Sequence, residues 1–556
     1  MPFLLFRIAV LAITASAVLA PIGLIVYQSF LDGPFFQPRT HFSLEAYQFV
    51  WEDDDFWTAL KTSLLVSTGM TAIAVPCGVV LAFLMSRTDM PGKKILEPLV
   101  LVPIFMSAVV LAFGYVVALG PVGIVSTVVK SWIGFIPWSI YSVLAITVIA
   151  GLTHVPHVYL YTSAALANLG GDLEEAARTT GASPSRVALT VSLPMVMPAV
   201  LYAAVLIFFL GFELFGLPLV LGDPEGILVL ATYLYKLTNK LGVPSYQLMA
   251  VVVVVIILIA LPLVSLQRML LASANRYVSV RGKAARRNPI RLGALRWPAF
   301  ALVMAWFVVS VGIPVAGIAL RSVVTTWGEG VRLADVLTLD HYRDLSNYPN
   351  AINAIVNTIL IGTIGGALAV GCYTAIALAM HRWRSVWTKV TDYLVMIPRA
   401  MPGLVAGLAM LWLFLFVKFL APLRPTLFSV WLAYTVVWLA YGTRLISGTL
   451  LQIGPELEEA GRSVGAAQGR VARDITVPLI RTGMVAAWLL VFLIFVREYS
   501  TGIYLLGPGT EVIGSLMVSL WGTGAIDLVS ALAVINILII SAGIALAIRL
   551  GVRLHG

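Results

Sequence analysis

The sequence predicts an all-α integral membrane protein: about twelve transmembrane helices in two parallel six-helix repeats. Three observations predict it. First, 60% of the 556 residues are hydrophobic and only 11% are charged, whereas a soluble domain carries about 25% charged residues. Second, several apolar runs exceed the ~18 residues that read as a membrane-spanning helix. Third, one polar segment occurs twice: EEAARTTGASPSRVALTVSLP at 174–194 and EEAGRSVGAAQGRVARDITVP at 458–478.

The apolar spans run at 4–30, 58–85, 95–119, 139–163, 196–222 and 245–270, then at 297–320, 353–380, 391–418, 426–450, 481–506 and 525–549. The N-terminal run is too long for the ~15-residue apolar region of a secretory signal and reads as a retained first span. Between the two sets lies a linker at 271–296 with Arg276, Arg281, Lys283, Arg286, Arg287, Arg291 and Arg296 and no acid. The positive-inside rule places it in the cytoplasm. Threading outward puts both termini inside, with the basic loops at 86–94 and 381–389. The acidic segment 31–57, with Asp32, Glu45, Glu52, Asp53, Asp54 and Asp55, falls outside. That segment is either a surface that steers a basic protein or ordinary outside-facing charge. The net charge of +10 and pI of 9.6 follow from these loops, so they argue for orientation rather than nucleic acid. Cys77 and Cys372 both sit in apolar runs and read as small core residues.

The two halves, residues 1–270 (core about 58–270) and 297–556 (core about 351–549), repeat one another. EPLVLVP at 97–103 matches DYLVMIP at 392–398 at an offset of 295, and Cys77, Met85 and Met106 meet Cys372, Met380 and Met401. Later the offset is 284, where Glu175, Gly181 and Pro194 meet Glu459, Gly465 and Pro478. Parallel repeats related by an axis along the membrane normal enclose a path between them.

The repeated polar segment predicts two short helices with a glycine elbow. Asp172 and Glu175 have capping-box spacing, and Gly181 suits a left-handed helix stop. Ser183 can cap a second helix that opens with Pro184. In the second copy Pro455 starts the helix, Glu456, Glu458 and Glu459 fill its first turns, and Gly465 forms the elbow.

Ionisable residues inside spans are functional candidates. Glu213 and Glu498 lie 19 and 20 residues after Pro194 and Pro478, about 30 Å along a helix. They are expected near the outer mouth, facing each other across the pseudo-axis. With Arg497 they form a gate or substrate contact, or else each is an interfacial carboxylate paired with Arg497 or with a helix end. His154 and His157, one turn apart, have metal-ligand spacing. Their repeat equivalents are Trp438 and Tyr441, so a polar-aromatic packing face is the other reading.

The pattern Glu-Ala-Ala, three residues, Gly, nine residues, Ile-x-Leu-Pro resembles the EAA loop of binding-protein-dependent ABC importer permeases. It is met by Glu175, Ala176, Ala177, Gly181, Val191, Leu193 and Pro194. It is met again by Glu459, Ala460, Gly461, Gly465, Ile475, Val477 and Pro478. The departures are Val191, Gly461 and Val477. The resemblance covers both halves. It implies the type I ABC importer permease fold in a bacterial inner membrane, and no catalysis by this chain. Each EAA loop would dock on a cytoplasmic ATPase subunit, present in two copies, which binds ATP and magnesium. The solute would come from a periplasmic binding protein. This chain has no G-x-x-x-x-G-K-[ST] phosphate loop. Two fused halves and the stretch REYSTGIYLLGP resemble the ferric-iron transporter group, whose relatives carry thiamine, polyamines, 2-aminoethylphosphonate or sugar phosphates. An ion-coupled secondary transporter is the rival of a different class, and an intramembrane enzyme is another.

Overall fold

The computed structural model describes residues 2–37, 39–169, 171–239, 245–274, 289–328, 330–383 and 385–551. The basic residues Arg276, Arg281, Lys283, Arg286 and Arg287 lie outside the described residues.

The first half builds α1 (Pro2–Ser29), α2 (Asp54–Arg87), α3 (Lys93–Phe105), α4 (Ala108–Leu119) and α5 (Val143–Asn168). After a short polar helix, α6 (Gly171–Thr179), come α7 (Leu193–Phe212) and α8 (Tyr246–Ala274). The second half repeats the plan with α9 (Gly293–Arg321), α10 (Ala351–Met380), α11 (Val386–Arg399), α12 (Gly403–Phe416) and α13 (Leu439–Leu450). It ends with the polar α14 (Pro455–Ser463), then α15 (Val477–Arg497) and α16 (Ile526–Arg549).

Among the described residues, ten helices are long and apolar enough to cross a membrane, and eleven if the bent pair α11–α12 is one span. The expected twelfth, 426–450, is split at Trp438 into Leu427–Val437 and α13. The expected span 391–418 bends by 109° between α11 and α12. Its counterpart at 95–119 also breaks, between α3 and α4. Met106 and Met401, equivalent in the repeat, both adopt extended backbone. Each follows a matching proline, Pro103 or Pro398, by three residues. A proline supplies no N–H to the helical ladder, so each apolar run turns at the same place. The helices that end the runs 196–222 and 481–506 also stop early, at Phe212 and Arg497.

A second proline effect appears before α7 and α15. Ala188–Ser192 and Ala472–Thr476 are π-helical. The Leu193 N–H bonds Ala188 O, and the Val477 N–H bonds Ala472 O, one residue further back than in an α-helix. Pro194 and Pro478 have no N–H to give, and the wide turn absorbs that loss.

The first span of each half packs on the other half. α1 lies along α10, α11 and α12. Arg7 Nε donates to Ala379 O at 3.0 Å and Nη2 to His381 O at 3.2 Å, so its cation caps the last turn of α10. Reciprocally, α9 lies along α4, where Tyr115 Oη donates to Val309 O at 2.9 Å. The backbones close tightly there: a Cβ on Gly114 would stand 2.6 Å from Pro314 Cβ. Without a hydrophobic drive between helices in lipid, close backbone approach at small residues supplies the packing.

The closest such approach is Gly442 of α13 on the buried Tyr373 ring, where a Cβ would meet the ring carbon at 1.9 Å. Tyr373 cannot swing away freely, because its hydroxyl donates to Thr435 O at 3.0 Å. Gly442→Ala is therefore expected to cost about 1–3 kcal/mol of overpacking strain and to lower the unfolding temperature of the detergent-purified protein. Gly371→Ala, with open space around it, is the matched control and is expected to leave that temperature unchanged.

Candidate functional site

Two features carry polar chemistry in this apolar chain: the repeated polar helices at one end, and a central cavity between the halves.

The polar helices form as expected. Gly181 and Gly465 take φ of +89° and +86°, the left-handed stop. The Gly181 N–H bonds Arg178 O and the Ala182 N–H bonds Ala177 O, and Gly465 and Ala466 repeat this on Arg462 and Gly461. Ser183 Oγ accepts from the Arg186 N–H at 3.4 Å, and the second helix runs Pro184–Val187. The side chain of Asp172 lies outside the described residues. Glu175, Ala176, Glu459 and Ala460 are all exposed. So are Leu457, Val464 and Leu451 around the second copy, an apolar fringe on an otherwise charged surface. Gly461 also has a reason to differ from Ala177: a Cβ there would stand 2.7 Å from Ile475 Cδ1. The first copy pairs the larger Ala177 with the smaller Val191.

The carboxylate before each exposed glutamate does something else. Glu174 and Glu458 are 5% and 6% exposed. Glu174 Oε1 faces Arg87 Nη2 at 3.4 Å and accepts from Ser192 Oγ at 2.7 Å. Arg87 Nη2 also donates to Leu166 O and Leu169 O. In the second half Glu458 faces Arg382 Nη1 at 3.1 Å, His381 Nε2 at 2.8 Å and Thr476 Oγ1 at 3.1 Å. Arg382 Nη2 donates to Ile453 O at 3.0 Å. Arg87 meets Arg382 at the offset of 295, and Glu174, Ser192 and Leu169 meet Glu458, Thr476 and Ile453 at 284. The same clamp is thus built twice. It ties each polar helix to the end of α2 or α10 and to the π-helical entry of α7 or α15. Sequence reading passed over it, although matching polar positions across both offsets would have found it.

The cavity has a volume of about 1580 Å³. Toward the polar helices it is lined by Leu166, Ala167 and Thr449 and reaches the exposed Lys94. At its far end it is lined by Glu213, Phe215, Glu498 and Tyr499. The Phe215 ring sits 6.1 Å from that of Tyr499 and 5.4 Å from that of Tyr235, an aromatic closure.

Each proposed path residue lines this cavity. Glu213 caps α7 and Glu498 caps α15, as their near-equivalence predicts. The partner of Glu213 is Arg399, at 3.4 Å, and not Arg497. Glu498 turns into its own loop, where Oε1 accepts from Ser500 Oγ, Thr501 N and Thr501 Oγ1 at 2.7, 3.1 and 3.1 Å. Arg497 donates to Ile104 O and lies 5.9 Å from the Trp438 ring centroid. His154 and His157 stack at 5.3 Å, with Trp438 and Tyr441 as their counterparts at 6.1 Å. Among the described residues no group of three His, Cys, Asp or Glu side chains could hold a metal. Arg399 was missed from the sequence, though it falls inside the run 391–418, and the intramembrane-charge rule that singled out Glu213 applies to it equally.

In the acidic segment 31–57 the carboxylates divide. Asp53 accepts from Tyr233 Oη at 2.5 Å, and the half-exposed Asp55 pairs with Lys236 at 2.5 Å. Glu45, Glu52 and Asp54 are exposed.

Residues 74–276 and 367–555 each match the family described as "Binding-protein-dependent transport system inner membrane component". The chain belongs to that family. It is a permease subunit of an ABC importer, a multi-pass membrane protein with two family repeats fused in one chain. The Fe(3+)-transport system permease protein FbpB 2 of Haemophilus influenzae is 24% identical over 467 residues, 83% of each chain. The ferric transport system permease protein FbpB of Actinobacillus pleuropneumoniae is 22% identical over 82% of this chain and 65% of its own. The molybdenum transport system permease protein ModB of Escherichia coli is 29% identical over 29% of this chain and 70% of its own. Such relatives are permease subunits rather than enzymes.

The duplicated clamp of this permease can be tested as a unit. Removing one partner of a buried ion pair costs about 3–5 kcal/mol, whereas removing both costs far less. Arg87→Met is expected to lower the unfolding temperature more than Arg87→Met combined with Glu174→Gln. A double mutant that falls by the sum of the two singles, in scanning fluorimetry of the purified protein, would show that the pair does not act together.

Proposed function

We propose that this permease subunit moves ferric iron, delivered by a periplasmic binding protein, across a bacterial inner membrane into the cytoplasm. Both termini and the two polar helices face the cytoplasm. Energy comes from two copies of a separate ATPase subunit, which carry the ATP and magnesium. The family description supports the binding-protein partner. The ferric relatives, which match most of the chain, support iron.

The observation that carries the energy-coupling part is the surface of α6 and α14. Each presents an exposed glutamate and alanine on a short helix bent at a left-handed glycine, and each is anchored by a buried clamp. An exposed carboxylate beside apolar residues suits a partner's cleft, because such patches on soluble surfaces mark interaction sites. Glu175 and Glu459 contact the ATPase, with Ala176, Ala177 and Ala460 against its surface. Gly181 and Gly465 set the bend, and Pro194 and Pro478 start the spans that pass the motion on. Glu213, Arg497 and Glu498 lie on the solute path beneath the closure of Phe215 and Tyr499. ATP-driven closure of the ATPases rocks the halves and opens that end of the cavity in turn.

A pull-down from native membranes tests the docking. The wild-type chain is expected to retain an ATPase subunit. Glu175→Arg combined with Glu459→Arg is expected to lose most of it, since charge reversal in an interface costs several kcal/mol. Equal ATPase recovery with both chains contradicts the docking; no ATPase with either contradicts the coupling scheme.

A further inference from the structure

The cavity bears on what kind of solute passes, and its charges do not suit a bare cation. Two guanidiniums, Arg399 and Arg497, line it within electrostatic reach of each other. Arg399 meets Glu213 at 3.4 and 3.5 Å, the outer limit of a hydrogen bond. Among the described residues Arg497 has no carboxylate at ion-pair distance. Its polar contact is the Ile104 carbonyl, and Oε1 of its neighbour Glu498 accepts from three donors of its own loop. A cation inside a membrane protein is costly and pairs with a counter-charge. Among the described residues Arg497 feels the charge of Glu498 but forms no ion pair with it.

Aromatic rings hold both guanidiniums. Arg497 lies over Trp438 at 5.9 Å and Arg399 over Phe209 at 5.7 Å from the ring centroids. A guanidinium supported on a ring face keeps its in-plane N–H groups for a planar or tetrahedral oxyanion. The surrounding lining adds donors: Tyr161, Tyr202 and Tyr441, and the indole of Trp438. The Trp438 Nε1 has no hydrogen-bond partner among the described residues, and an indole N–H can only donate. At the end near the polar helices, Lys93, Lys94 and Glu97 line the wall, with Arg444 paired to Asp392 at 2.7 Å.

We propose that the transported solute presents an oxyanion, a phosphate, phosphonate or carboxylate group, to Arg497 and Arg399. This rests on the importer reading and narrows its substrate. Iron, where it is the cargo, crosses with its oxyanion ligand. A free trivalent cation would meet two guanidiniums beside Glu213 and Glu498 and, among the described residues, no group of three ligand side chains. For a zwitterionic solute, Glu213 is placed to take the ammonium group once the oxyanion draws Arg399 away.

The test uses cells that express the chain with its own ATPase and binding protein. Uptake is measured for ⁵⁵Fe(III) supplied as its citrate complex with ¹⁴C-labelled citrate, for ³³P-labelled phosphate, for ¹⁴C-labelled 2-aminoethylphosphonate, and for labelled thiamine and spermidine. The wild type is expected to accumulate an oxyanion probe. Co-accumulation of ¹⁴C with ⁵⁵Fe assigns the oxyanion to an iron ligand, and uptake of phosphate or phosphonate alone assigns it to the solute itself. Compared at equal amounts of assembled complex, Arg497→Gln and Arg399→Gln are each expected to reduce that uptake by about tenfold or more, the worth of one charge-assisted hydrogen bond. Arg497→Lys is expected to recover part of it. Accumulation of ⁵⁵Fe without its ligand overturns the proposal, as does preferred uptake of thiamine or spermidine. So does uptake at the wild-type rate by both glutamine variants. None of these results touches the importer reading, which fails instead if no probe accumulates and no ATPase co-purifies.

Discussion

A buried carboxylate sits immediately before each exposed glutamate of the repeated polar helices, and the rest of the machine depends on how it is paired. Glu174 and Glu458 are almost fully buried, and a buried carboxylate without partners costs several kcal/mol. Each is met by an arginine from the end of the half's second span and by a hydroxyl from the entry of its fifth. Three chain segments therefore converge on one group. A short helix of nine residues has little stability of its own. Held at that convergence, it can move only with the spans that hold it.

The clamp also explains the irregular helix entries. Ser192 and Thr476 are the last residues of the π-helical turns. Those turns exist because Pro194 and Pro478 lack an N–H, and they end with the hydroxyl against the carboxylate. In the second half His381 is a further partner of Glu458, whereas the equivalent position in the first half is Ser86.

Much of this was legible in the sequence, and the misses have physical causes. Hydropathy found most spans, because lipid demands about twenty apolar residues whatever the tertiary structure, but it placed at 95–119 a span that runs Ala108–Ile133. It could not see the breaks at Met106, Met401 and Trp438, where buried protein contacts satisfy irregular backbone inside a run that still reads as apolar. The glycine elbows and the Ser183 cap were legible because φ and local hydrogen bonds decide them. The pairing of Glu213 was not. Its partner Arg399 comes from the other half and became visible only when the halves were brought together. Glu174 and Glu458 were hidden by their neighbours: in a polar segment, nothing local distinguishes a glutamate that faces inward from one that faces out.

The most direct measurement is the distance between the two polar helices during the proposed ATPase cycle. Spin labels at Thr180 and its repeat equivalent Val464, both exposed, would be introduced after replacing Cys77 and Cys372 by serine. Distances would be read in the assembled complex without nucleotide and after trapping with ATP and vanadate. One narrow distribution that shifts as a unit is expected on trapping, and a broad one when Arg87 and Arg382 are both replaced by glutamine. A broad distribution in the intact chain, or one that trapping leaves in place, would contradict the claim that the clamps carry the motion.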